Sequence, residues 1–202
     1  MLLHLRRSLI MAVICLIFFG FVYAFAATGV SQVLFKHQAN GSLTANGSTL
    51  IGQNWSSPKW FHGRPDDTGP YADTNPKNPS PVGHGGDNPL VANGAAGGSG
   101  ATNFGPRSQK FLDDTKALVK YWHKLGVNPT PDLVTTSGSG YDPDISPQDA
   151  IVQIPMVSKA TGISASKLRA LIKSQTHGAQ FGFLGSSYID VLQLNEALAR
   201  LG

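Results

Sequence analysis

The sequence predicts one N-terminal transmembrane helix plus a small mixed α/β extracytoplasmic domain. Three observations carry this. Leu9–Ala27 holds no charged residue. Arg6 and Arg7 flank one end of that run, whereas the other end meets no basic residue before Lys36. Beyond it the chain becomes polar, with short amphipathic segments between Gly- and Pro-rich turns.

About 20 apolar residues suffice to cross a hydrocarbon core as a helix, and a helix satisfies its own backbone groups there. Cytoplasmic flanks collect Lys and Arg, so residues 1–7 are placed in the cytoplasm, 8–29 in the membrane and 30–202 outside. Tyr23 suits the outer interface. The alternative is a cleaved signal peptide, since Ala24-Phe25-Ala26 has a small-x-small form. The apolar run exceeds the usual 7–15 residue signal core. Val30, Val33 and Leu34 also extend the helical spacing.

Of 16 Lys and Arg, Arg6 and Arg7 belong to the anchor flank, which leaves 14 against 12 Asp and Glu. A soluble part this near neutrality, read with no basic stripe and no aromatic–Arg interleaving, argues against nucleic acid. Cys15 is the single cysteine and lies inside the apolar run, so no intramolecular disulfide can form. The exported domain is then held by its own core or by a partner.

Thr49–Trp55 reads as a short strand after the turn signals Asn40-Gly41 and Asn46-Gly47. Ser56–Gly105 reads as irregular, with a flexible Gly/Pro-rich insert at about 70–101. Inside it, Trp60-Phe61-His62-Gly63-Arg64-Pro65 is an aromatic–basic patch. It either pins the loop to the core or forms a docking surface, because Trp, Phe and Arg carry interface energy. Pro106–Leu125 is an amphipathic helix with Phe111, Leu112, Thr115, Leu118, Val119, Trp122 and Leu125 on one stripe, ended by Gly126.

Asp132–Thr135 is a strand candidate leading into the polar loop Thr136–Asp144. Ser146 is an N-cap with Pro147 at N1 and Asp149 at N3. The helix that follows is broken or kinked by Pro155 and continues to Gly162. Ser164 caps a helix burying Leu168, Leu171 and Ile172. Tyr188–Gln193 alternates as a strand, and Leu194–Leu201 closes the chain as a helix.

No catalytic arrangement is read. There is no phosphate-loop motif, and Ser139 lacks the G-x-S-x-G context of a nucleophile elbow. His37, His62, His84, His123 and His177 show no paired metal spacing, and no metal site is assigned. Asp66-Asp67 and Asp142/Asp144 fit turns better than acid–base pairs. The Ser137–Asp144 loop could form an anion-binding nest, and its Ser/Gly run is similar to the signature motif of ABC-type ATPases. The plainer reading is a strand-to-helix turn. Gln153 could pair with an adenine edge or bond backbone left open by Pro155.

Several segments, in order, match one family: Phe35-Lys36-His37-Gln38-Ala39-Asn40-Gly41-Ser42, Leu50-Ile51-Gly52-Gln53-Asn54, Phe61-His62-Gly63-Arg64-Pro65 and Leu133–Pro143. Ile145-Ser146-Pro147, Gly182-Phe183-Leu184-Gly185 and Val191-Leu192-Gln193-Leu194-Asn195 follow. Over essentially its whole length the chain resembles KdpC, the C subunit of the Kdp potassium-transporting P-type ATPase. The stretch Pro70–Ala101 matches weakly. The resemblance implies a non-catalytic subunit of the bacterial inner membrane. Its implied partners are the ATP-hydrolysing KdpB, the potassium-selecting KdpA, the small KdpF and the lipid bilayer.

The family is described as a catalytic chaperone that raises the ATP affinity of KdpB. That description implies nucleotide-binding positions at Ser137, Gly138, Ser139, Gly140 and Gln153. No cofactor is expected to bind firmly, with ATP reached only through the complex. The docking candidates are Gln53, Trp60, Phe61, Arg64, Asp142 and Pro143. A domain outside the membrane cannot touch cytoplasmic ATP, so assembly or stabilisation of the complex is the favoured role. The other function classes are a membrane-tethered periplasmic hydrolase using Ser139 and a secreted binding protein.

Overall fold

The computed structural model describes residues 2–53, 55, 57–65 and 103–201. The expected insert at about 70–101, and Asn54 of the expected first strand, lie outside the described residues. The chain divides into two compact units, Met1–Ala45 and Asn46–Gly202.

In the first unit, α1 (Leu2–Ile17), a π-helical turn (Phe18–Val22) and α2 (Tyr23–Leu34) follow without a break. The stretch Leu2–Leu34 is 33 residues long, and its most apolar window has a mean hydropathy of 2.7. By length and composition it can cross a membrane: 33 residues at 1.5 Å rise give about 50 Å against a core of roughly 30 Å. None of its side chains is buried by the chain itself. The Tyr23 N–H reaches back to the Phe18 carbonyl, the i−5 bond of a π-turn. Then come α3 (Lys36–Ala39), a turn at Asn40-Gly41 and the two-residue β1 (Leu43–Thr44).

The second unit opens with β2 (Gly47–Ser48). The expected strand over Thr49–Trp55 does not form among the described residues. Instead of a ladder, Gly52 N–H makes one long-range bond, to the Tyr141 carbonyl at 2.7 Å. The Gln53 amide turns back on the Ser48 carbonyl at 3.2 Å.

Helix α4 (Gln109–Lys124) starts after Ser108, whose hydroxyl accepts from Phe111 N–H, so Pro106 lies ahead of the cap rather than in the first turn. Leu118 and Trp122 form its buried edge. Leu112, expected on that edge, is 41% exposed, so the apolar stripe is narrower than its spacing suggests. Gly126 takes the left-handed conformation (φ 75°) that ends the helix.

Asp132–Val134 is a 3₁₀ turn, not the expected strand. Adjacent Leu133 and Val134 are both buried, which a strand with alternating faces does not provide. The Trp122 indole N–H donates to the Leu133 carbonyl at 2.9 Å and fixes the turn.

β3 (Asp144–Ile145) pairs antiparallel with β4 (Ile189–Asp190), placing Asp144 opposite Asp190 and Ile145 opposite Ile189. Helix α5 (Pro147–Thr161) has the expected capping box: Ser146 Oγ accepts from Asp149 N–H, and the Asp149 carboxylate accepts from Ser146 N–H. Pro155 does not break it. The residue lies on the exposed side, where water can replace the bond that proline removes. Gly162 is a left-handed C-cap.

Helix α6 (Ala165–Gln175), capped by Ser164, buries Leu168, Leu171 and Ile172 as expected. The expected strand Tyr188–Gln193 is only two residues long, because Asp190 caps α7 (Val191–Ala199) by accepting from Gln193 N–H at 2.7 Å. The alternating residues after Asp190 are therefore a first helical turn. α5, α6 and α7 pack on Phe61, Trp122, Leu133, Ile145 and Ile189. The unit is mainly helical with a minimal sheet, so the expected small α/β mixture leans strongly to its helices.

Candidate functional site

The centre of the domain is the segment Trp60–Pro65, held by two amide side chains. Phe61 and His62 are both fully buried, and so are their peptide groups, which therefore need partners. Asn195 of α7 supplies one pair: Phe61 N–H donates to its Oδ1 at 2.9 Å, and its Nδ2 donates to the Phe61 carbonyl at 2.8 Å. Gln153 of α5 supplies the other: His62 N–H donates to its Oε1 at 2.8 Å, and its Nε2 donates to the His62 carbonyl at 3.0 Å. Each amide matches a peptide unit as a neighbouring strand would. Gln153 thus bonds the backbone of His62, not the carbonyl freed by Pro155. In this conformation its amide is 0% exposed and fully engaged.

His62 lies against Trp122, with ring centroids 5.3 Å apart, and its Nε2 donates to the Ser57 carbonyl at 3.2 Å. Burial lowers its pKa to about 4, with the bond to Ser57 acting the other way. The imidazole is neutral at physiological pH and is a structural group. Trp122 in turn bonds Leu133, so the segment, α4 and the 3₁₀ turn form one packed unit.

Arg64 carries this unit to the serine–glycine loop. One guanidinium nitrogen donates to the Thr136 carbonyl at 3.1 Å, and the group lies 3.6 Å from Asp132 and 3.8 Å from Asp142. Within the loop, Ser137 Oγ accepts from Gly140 N–H at 3.0 Å and Ser139 Oγ accepts from Tyr141 N–H at 3.1 Å. Two of the N–H groups that an anion nest would offer, those of Gly140 and Tyr141, are turned onto these hydroxyls. Gly140 has φ 74°, the left-handed form the turn requires. Ser137 is buried, and Gly138 and Ser139 are exposed. Asp142 accepts from Asp144 N–H at 3.0 Å, the turn-forming role expected of it.

Four docking candidates come together. Gln53, Arg64, Asp142 and Pro143 line one small crevice with Trp55, Gly63, Val191 and Leu192. Trp60 reaches it through Trp55, their rings packed edge to face at 5.4 Å. Phe61 does not join them; its side chain faces the core. Trp55 Nε1 and Arg64 Nε are buried there with no hydrogen-bond partner among the described residues. Among the described residues, no group of three or more His, Cys, Asp or Glu side chains could hold a metal.

The family model described as KdpC, K+-transporting ATPase, c chain, matches residues 5–200. The chain belongs to the KdpC family. It is similar to the "Potassium-transporting ATPase KdpC subunit" of Methylobacterium nodulans, 38% identical over all of this chain and 98% of the relative. The Koribacter versatilis protein of the same name is 37% identical over 95% of this chain and 92% of the relative. That of Geobacter sulfurreducens is 38% identical over 98% of each. KdpC membership gives no support to the hydrolase or secreted-binder readings.

Three features escaped the sequence reading. Asn195 served only the resemblance, although it is a buried amide on an apolar helix face. Phe181 and Phe183, 87% and 75% exposed, form an apolar tip, with Phe181 itself at a left-handed φ of 53°. The signal was two Phe flanking Gly182 with no charged residue nearby. Finally, α4 does carry a basic stripe: Lys116, Lys120 and Lys124 recur every four residues and are all exposed.

Proposed function

We propose that this protein is the accessory C subunit of an ATP-driven potassium-uptake complex and acts by assembling or stabilising it. The observation that carries this is the family match over residues 5–200. The expected partners are the ATP-hydrolysing KdpB, the potassium-selecting KdpA and the small KdpF, with catalysis in KdpB. The uncharged run bounded by Arg6 and Arg7 supports a cytoplasmic N-terminus and a domain outside the cell membrane.

Docking is assigned to the crevice formed by Gln53, Arg64, Asp142 and Pro143, joined by Trp60. Its two unpaired donors, on Trp55 and Arg64, suit an acceptor brought by a partner chain. The tip at Phe181 and Phe183 extends this assignment, since strain in an exposed bulky residue is a feature of binding segments. Nucleotide contact through Ser137–Gly140 and Gln153 is the second reading. The Ser137 and Ser139 hydroxyls, both spent on the loop's own backbone, and the engaged Gln153 amide favour a structural role for both.

Affinity purification of the tagged full chain from native membranes tests the assignment. A large P-type ATPase subunit should accompany it, and Arg64→Ala should weaken that association. Recovery of the chain alone from gently solubilised membranes would contradict the reading.

A further inference from the structure

Four exposed lysines and a histidine share one face of the second unit. Lys116, Lys120, His123 and Lys124 line a shallow depression on α4 with Thr115 and Val119. A second depression continues from His123 and Lys124 to Lys159 of α5. All four lysines are exposed and none enters an ion pair among the described residues. The nearby acids are occupied: Asp113 accepts from Gln109 at 2.9 Å and Asp114 from Lys110 at 2.8 Å. Beyond Arg6 and Arg7 the chain has 14 basic and 12 acidic residues, an excess of two. Four lysines on one face therefore exceed that whole excess. Like charges at this spacing repel each other weakly in water, and an anionic surface facing them would turn that repulsion into attraction.

We propose that the lysine face of α4 and α5 docks on the anionic headgroups of the bilayer in which the chain is anchored. This rests on the anchor reading of Leu2–Leu34. The helical stretch ends at Leu34 and the second unit begins at Asn46, leaving residues 35–45, or 11 residues, between them. Even fully extended, such a link reaches only about 40 Å. The membrane is thus always present at high effective concentration, and weak contacts suffice to engage it. A dense array of phosphates matches lysines better than guanidinium-seeking carboxylates would, since lysine binds phosphate as a point charge. Each lysine close to an anionic surface shifts the docked fraction by roughly fivefold, and salt screens the effect.

The test uses the full chain with Cys15→Ala and Ala117→Cys, the latter carrying an environment-sensitive dye beside the stripe. It is reconstituted in vesicles of phosphatidylcholine alone or with added phosphatidylglycerol. Docking predicts that the dye becomes protected from an aqueous quencher only in the anionic vesicles and that high salt reverses this. Changing Lys116, Lys120 and Lys124 together to Gln should reduce the docked-to-free ratio about a hundredfold.

Equal exposure in both vesicle types would overturn the proposal. So would protection that requires added partner subunits whatever the lipid, which would assign the face to an acidic protein surface. Retention in the vesicles after alkaline carbonate reports the anchor separately, so loss of the anchor and loss of docking are distinguished.

Discussion

The Phe61–His62 segment and the Ser137–Gly140 loop are neighbours in one site, yet they are held by opposite means. The first is stitched by side chains 91 and 134 residues away in sequence, and every group involved is buried. The second closes on itself through bonds spanning two or three residues, much of it at the surface. A polar group locked at long range depends on the whole fold, and the fold depends on it. A locally closed loop needs only its own residues. The contrast teaches that Gln153 and the serines, joined by the resemblance in one nucleotide-binding role, occupy different physical situations.

Breaking the long-range half should have the largest effects. Phe61→Ala removes a fully buried ring and should cost about 3–5 kcal/mol in urea unfolding of the detergent-solubilised chain. Gln153→Leu leaves the His62 N–H and carbonyl buried without partners, which should cost roughly 2–5 kcal/mol. Asn195→Leu should behave alike. If Gln153 instead served mainly to bind nucleotide, its replacement would leave the unfolding curve unchanged.

The local half sharpens the comparison with smaller effects. Ser137→Ala should cost about 1 kcal/mol, and Ser139→Ala, at an exposed position, under about 0.5 kcal/mol. Complex recovery from membranes should be unchanged by Ser139→Ala.

A separate effect is one of pH. Burial, reinforced by Asp142 and Asp190 and opposed by His177, raises Asp144 to about 6 from 3.8. The folded state therefore takes up a proton more readily than the unfolded chain. The cost of its charge is full above about pH 6 and gone below about pH 4. Asp144→Asn should be more stable than the parent near pH 7, and that advantage should shrink as pH falls across this window. His62, lowered to about 4, acts in the opposite sense between 6.5 and 4, so the two chains must be compared at each pH. An advantage that grows on acidification would refute the assignment.

Much of the fold was legible where a local rule governs. The uncharged run, the Ser146/Asp149 capping box, the Ser164 cap and the buried face of α6 all follow from patterns a few residues long. Strands failed because alternation over Tyr188–Gln193 is equally a helix entry, and the Asp190-x-x-Gln193 cap that decides it was overlooked. Val134 and Leu133 are apolar together, which fits a buried turn as well as a strand. The site was legible only as separate motifs. Nothing local to Gln153 or Asn195 shows that they face Phe61 and His62, because that pairing arises from the packing of α5 and α7. The lysine spacing on α4 was readable but was lost in a near-neutral total.

The central claim is that the domain supports the pump from outside the membrane and so does not touch ATP. Its most direct test is an impermeant thiol reagent applied to intact cells producing the Cys15→Ala, Ser174→Cys chain. The account predicts labelling of Cys at that position before the cells are broken. Protection in intact cells, with labelling only after lysis, would place the domain in the cytoplasm and contradict it.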